Sequence, residues 1–152
     1  MDAVLGELVT ALEIHGFRQV PRASESVPDA QALLRRQTLL TNRAVVVVAP
    51  ASTPRDFAGY LKQVRRRAAF RCKFVPLLWG LGLQVVVVSP GIVAAEIDPA
   101  QHVSRVDNQW AIIQSVFLVD PDAGNFRSGR TCCQVITGKY QDTIEGVLRA
   151  AC

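Results

Sequence analysis

The sequence predicts a single α/β domain with a mixed sheet, and three observations carry that prediction. Two unbroken runs of four valines, Val45 to Val48 and Val85 to Val88, each reach a proline two residues later, at Pro50 and Pro90. A strand with one wet face alternates apolar and polar residues, so β-branched runs without a polar member belong to strands covered on both faces. Between the runs, Thr53-Pro54-Arg55-Asp56 precedes apolar residues at helical spacing. Strand, helix and strand then read as a right-handed βαβ crossover with parallel strands near 43–49 and 83–89 and a helix over 54–69. After Pro90, a strand-like run over 110–119 leads into the turn-rich Asp120-Pro121-Asp122-Ala123-Gly124-Asn125, the pattern of an antiparallel hairpin.

The elements follow in chain order. Val4, Leu5, Leu8, Val9 and Leu12 recur at helical spacing and Gly16 supplies a stop, giving a first helix from Asp2 to His15. Phe17 to Arg22 reads as a short edge strand. Ser26-Val27-Pro28-Asp29 offers a cap, an early proline and an acid near the positive helix end, so a second helix is expected to about Leu39. The alternative pairs Arg36 to Leu40 with the first valine strand as a hairpin. In the crossover helix, Thr53 is the expected cap, Pro54 presets φ, and Phe57, Leu61, Val64 and Ala68 form the buried face. The hairpin is expected to return over 130–137. A C-terminal amphipathic helix then carries Tyr140, Ile144, Val147, Leu148 and Ala151 on one side.

At 152 residues, with 49% hydrophobic and 20% charged residues, the chain has the size and apolar content of one packed domain. Cys72, Cys132, Cys133 and Cys152 lack paired metal spacing, which fits reduced thiols in a cytoplasmic protein. Acids at the start, Asp2 and Glu7, oppose a secretory signal. The uncharged stretch from Phe74 to Ala95 is long enough to span a bilayer. Pro76, Gly80, Gly82 and Ser89-Pro90-Gly91 interrupt it, and the valines favour a strand, so no membrane partner is expected.

Charge is unevenly distributed. Met1 to Lys73 holds 12 Lys or Arg against 6 Asp or Glu, a balance of +6, whereas Phe74 to Cys152 holds 5 against 7, a balance of −2. On a helix beginning at Pro54, Arg55, Lys62 and Arg66 project near one line with Arg65 beside it, while Arg67 falls nearer the apolar margin and must snorkel. Such a stripe suits nucleic-acid phosphates or an acidic protein. Tyr60 is the one aromatic besides Phe57 within 54–69 and points inward, so the stripe lacks a stacking platform in this reading. Phe74, Leu77, Leu78 and Trp79 offer apolar anchors for a homodimer contact.

Catalytic signals are sparse. Phosphate loops need glycines after a strand, and Ala49-Pro50-Ala51-Ser52-Thr53-Pro54 offers two prolines instead. Of the two histidines, His15 ends a helix and His102 lies in a connection, so His102 is the candidate base for a hydrolase or transferase site at the strand ends near Ser52, Thr53 and Ser89. Adjacent Cys132 and Cys133 would face opposite ways on a strand, so at most one reaches such a site. Glu96, Asp98, Asp107, Asp120 and Asp122 flank the strands as a cation alternative, although Asp120-Pro121-Asp122 is economically a turn. No acid stands two places before Lys62, Lys73 or Lys139, which argues against a restriction-type nuclease. No cofactor or metal is implied. The expected function is a non-enzymatic interaction or regulatory module, with a protein partner or self-association ahead of nucleic acid. The alternatives are a nucleic-acid-binding protein using the helix over 54–71 and a small hydrolase or transferase.

Overall fold

A computed structural model describes residues 2–38, 42–72, 80–103, 111–130 and 134–151. Among these residues, six strands form one mixed sheet in simple chain order. They are β1 (Arg18–Gln19), β2 (Ala30–Gln37), β3 (Asn42–Val48), β4 (Leu81–Val88), β5 (Ala111–Asp120) and β6 (Asn125–Arg130). Three α-helices accompany them, α1 (Asp2–Ile14), α2 (Phe57–Arg71) and α3 (Gln134–Ala151).

The valine strands behave as their composition requires. β3 and β4 are parallel neighbours, with Val46 opposite Val85 and Val47 opposite Val86, and β5 continues the parallel set on the other side of β4. β2 pairs antiparallel with β3, and β6 antiparallel with β5. Val45 to Val48 and Val85 to Val87 are buried because both faces are covered. On one face, Phe57, Leu61, Val64 and Ala68 of α2 pack on Val46, Val48, Val85 and Val87. On the other, Leu8 and Leu12 of α1 and Ile144 and Leu148 of α3 pack on Val45, Val47, Val86 and Phe117. Burying a valine or leucine side chain contributes roughly 1.5–3 kcal/mol, so these two layers dominate the favourable side of folding.

The first helix ends as its sequence suggests, at Gly16 with φ 82, a left-handed conformation that glycine adopts without Cβ strain. The second expected helix is instead strand β2. Asp29 adopts φ 53, so the chain turns where the helix was to begin, and backbone pairing with β3 from Ala32 opposite Val47 to Gln37 opposite Asn42 overrides the helix preference of its Leu, Ala, Arg and Gln residues. The alternative hairpin with the first valine strand was the correct topology, and it begins earlier, at Ala30. A register shift between Ala30 and Ala32 sets Gln31 out as a bulge.

The crossover helix starts at Phe57, three residues later than expected. Its N-cap is Asp56, whose Oδ1 accepts from the Gly59 amide at 2.9 Å, so Thr53 does not cap it. The hairpin also closes sooner. Asp120 pairs directly with Asn125, and Asp120 Oδ1 accepts from the amides of Asp122 and Ala123 at 3.1 Å, which makes this segment a turn. The return strand is therefore Asn125–Arg130 rather than 130–137, and helix α3 already begins at Gln134. An edge strand needs few apolar residues, and β6 is largely exposed and polar.

The β4–β5 crossover carries a 3-10 turn at Pro99–His102, capped by Asp98 accepting from the Ala100 amide at 3.0 Å. This turn lies against Gly129 of β6, where no side chain fits. Of the Phe74–Ala95 stretch weighed as a membrane span, residues 81–88 are strand β4. No helix among the described residues is long and apolar enough to cross a membrane.

Candidate functional site

Helix α2 carries Lys62, Arg65, Arg66, Arg67 and Arg71 and no acid between Phe57 and Arg71. Its apolar stripe faces the sheet, so the opposite side is turned to solvent by the 3.6-residue period. Lys62, Arg66 and Arg67 are exposed and Arg65 is half-buried. Arg67 stands nearer the apolar stripe on the helix than Arg66 does, and its exposure fits a side chain that snorkels to solvent. Arg55 is exposed too, but it precedes the Asp56 cap and so stands outside the helical line assigned to it.

The helix continues to Arg71, and this adds a residue that sequence reasoning passed over. Phe70 is 80% exposed, one of two large hydrophobics left so open among the described residues. It stands four residues after Arg66 and three after Arg67, so the three share a face, and with Gln63 they line one concavity of the surface. The available signal was spacing, since Gln63, Arg66, Arg67 and Phe70 follow the i, i+3, i+4, i+7 pattern on the side away from Phe57, Leu61, Val64 and Ala68.

Local acids are engaged elsewhere. Glu25 lies 3.8 Å from Arg22, and Asp29 accepts from the Tyr60 hydroxyl at 3.2 Å. Burial and the neighbouring Asp29 push the Tyr60 phenol far above its usual value, so Tyr60 stays a neutral donor to Asp29. Arg71 Nη2 donates to the Pro21 carbonyl at 2.8 Å, fixing the helix end against the loop before β2. Among the described residues no acid pairs with Lys62, Arg65, Arg66 or Arg67.

The strand-end candidates do not assemble a dyad among the described residues. His102 is half-buried with its ring edge-on to Phe57, centroids 4.9 Å apart, and no hydrogen bond joins it to Ser52, Thr53 or Ser89. Ser89 is buried and its amide donates to the Val119 carbonyl at 3.0 Å, while Ser52 is exposed. Of the acids, Asp98 and Asp120 cap local turns and Glu96 and Asp122 are exposed. No group of three or more His, Cys, Asp or Glu is placed to hold a metal among the described residues. Cys132, Cys133, Asp107 and the anchors Phe74, Leu77, Leu78 and Trp79 lie outside the described residues. Cys72 is buried, and burial pushes its thiol up to about 11, so it is a poor nucleophile.

A second polar region lies beneath α3. Arg36 and Arg43 are paired across β2 and β3, and both guanidinium groups sit over the Tyr140 ring, at 5.3 and 5.2 Å from its centroid. Burial, with Arg36 nearby, lowers the Arg43 pKa. Gln84 and Ser115 are opposite each other on β4 and β5, and Gln141 Nε2 donates to the Gln114 carbonyl at 3.5 Å. The seam ends in an ion pair. Arg130 Nε donates to Glu145 Oε1 at 3.0 Å, Arg130 Nη2 meets Glu145 Oε2, and Ser128 Oγ donates to Glu145 at 2.8 Å. Those bonds, Arg130 first, hold the Glu145 carboxyl below the usual range.

Comparison of the chain with protein-family models, with curated proteins and with solved structures gave no match.

Proposed function

We propose that the protein is a non-enzymatic binding module that holds single-stranded nucleic acid along the outer face of α2. The observation that carries this reading is Phe70, 80% exposed on an acid-free helix and flanked by Arg66 and Arg67. Phosphates supply the charge that Lys62, Arg65, Arg66 and Arg67 lack as partners among the described residues, and an unstacked base supplies a flat surface for the Phe70 ring. An acidic protein segment satisfies the charges but meets the ring only where it happens to carry an aromatic, whereas every nucleotide brings a flat base. A duplex satisfies the charges while keeping its bases stacked, so single strands are the better fit. The phosphate charge and the base face that this surface would meet are common to every nucleotide, so binding is expected to be largely tolerant of sequence.

Fluorescence anisotropy with labelled single strands of DNA and RNA, a duplex of equal length and a poly-glutamate peptide tests the proposal. Single strands are expected to bind most tightly at low salt. Equal or tighter binding of the acidic peptide favours a protein partner, and no binding of any single strand at low salt rejects the proposal.

A further inference from the structure

The opposite face of the sheet holds a cavity of about 190 Å³ at the carboxyl ends of the parallel strands, between α1 and α3. Its walls are Leu8 of α1, Val47 of β3, Val86 and Val88 of β4, Val119 of β5 and Leu148 of α3. Open α/β sheets place ligands outside the carboxyl ends of their strands. Ala49, just past β3, also borders the cavity, which reaches solvent where Gln31, Pro121 and Gly124 of its lining are exposed. An apolar recess open to water is a favourable place for an apolar group. A dry apolar cavity of about 150 Å³ takes benzene, so this one admits a single ring or a chain of about six carbons.

The lining also restricts the ligand's chemistry. No charged side chain borders the cavity among the described residues, so a carboxylate or ammonium finds no ionic partner there and gives up part of its hydration on entering. Its one polar side chain among the described residues is Gln31, set out of register by the β2 bulge and able to donate and accept. We propose that this cavity binds a small neutral molecule, an apolar body of about six carbons with one hydroxyl or carbonyl that hydrogen-bonds to Gln31. The site uses neither α2 nor its arginines and stands independently of nucleic-acid binding.

The probe is 1-hexanol, titrated into the full chain and followed by methyl NMR, with hexanoate and hexylammonium as charged analogues. Saturable shifts at the Val86, Val119 and Leu148 methyls are expected, with both charged analogues at least tenfold weaker. Ala49→Leu and, separately, Val88→Leu fill the cavity and abolish the shifts, while Gln31→Leu weakens hexanol and leaves toluene binding within twofold. Shifts that never saturate, charged analogues that bind as well as hexanol, or undiminished binding by a folded filling variant each overturn the proposal. The wild-type titration decides the matter even where a variant fails to fold.

Discussion

Gly129 tests whether the connection carrying His102 sits where it is described. Gly129 is buried on β6, and a Cβ there would lie 2.5 Å from the Pro99 carbonyl oxygen, and closer still to the Pro99 carbonyl carbon and the Ala100 amide nitrogen. Non-bonded heavy atoms prefer roughly 3.5–4.0 Å, so the methyl group of Gly129→Ala must displace backbone rather than a side-chain tip. Overpacking of this kind costs about 1–3 kcal/mol, and a clash against backbone belongs near 3. In a chain of this length each kcal/mol shifts Tm by about 2–4 °C, so a fall of about 6–12 °C is expected in a thermal melt followed by circular dichroism. Gly146→Ala is the control, because nothing lies within 4 Å of a Cβ there and the residue is exposed in α3; it should stabilise by about 1 kcal/mol. Without the 3-10 turn against β6, Gly129→Ala should also stabilise, by about 0.4–1 kcal/mol through the unfolded chain. An unchanged or raised Tm for Gly129→Ala therefore refutes the placement.

Three further outcomes follow from named contacts. Phe70→Ala should weaken single-strand binding by about 1–3 kcal/mol while leaving Tm almost unchanged, since the ring is 80% exposed; anisotropy and a thermal melt read the two effects separately. Glu145 has a depressed folded pKa, so its contribution is complete above its unfolded value, about 4.3, and disappears as pH falls through the lower folded value. Glu145→Gln should thus be less stable than the parent by about 2 kcal/mol at pH 7, with the gap closing in denaturation curves taken below about pH 4. Cys72, buried and with its thiol raised to about 11, should resist iodoacetamide at pH 8 in the folded protein and react after unfolding, as peptide mass spectrometry would show.

The parallel core was legible because burial on both faces leaves a compositional mark that local context cannot disguise. Val45 to Val48 and Val85 to Val88 could not be half-wet strands, and Phe57, Leu61, Val64 and Ala68 named the buried side of α2 directly. β2 and β6 were less legible because they depend on their neighbours. Ala30–Gln37 contains no β-branched residue and becomes a strand through pairing with β3, after the left-handed turn at Asp29. Asn125–Arg130 is polar because it is an edge, whereas the β-branched residues after Arg130 drew the expected strand too far along. In the candidate site, the charges were visible in the sequence and the aromatic was missed, since Phe70 lies past the buried face that ends at Ala68 and only its spacing from Arg66 and Arg67 puts it on the arginine face. The cavity beside Gln31 left no linear signal at all, because it arises where four strands and two helices meet.

The most direct test of the α2 proposal is the salt dependence of single-strand affinity. Three or four phosphate contacts to Lys62, Arg65, Arg66 and Arg67 correspond to a slope of about −2 to −3 in log K against log salt concentration. Replacing Arg66 and Arg67 with glutamine should make that slope shallower by about 1 to 1.5. A slope near zero, or one that the double replacement leaves unchanged, would contradict phosphate binding by this helix.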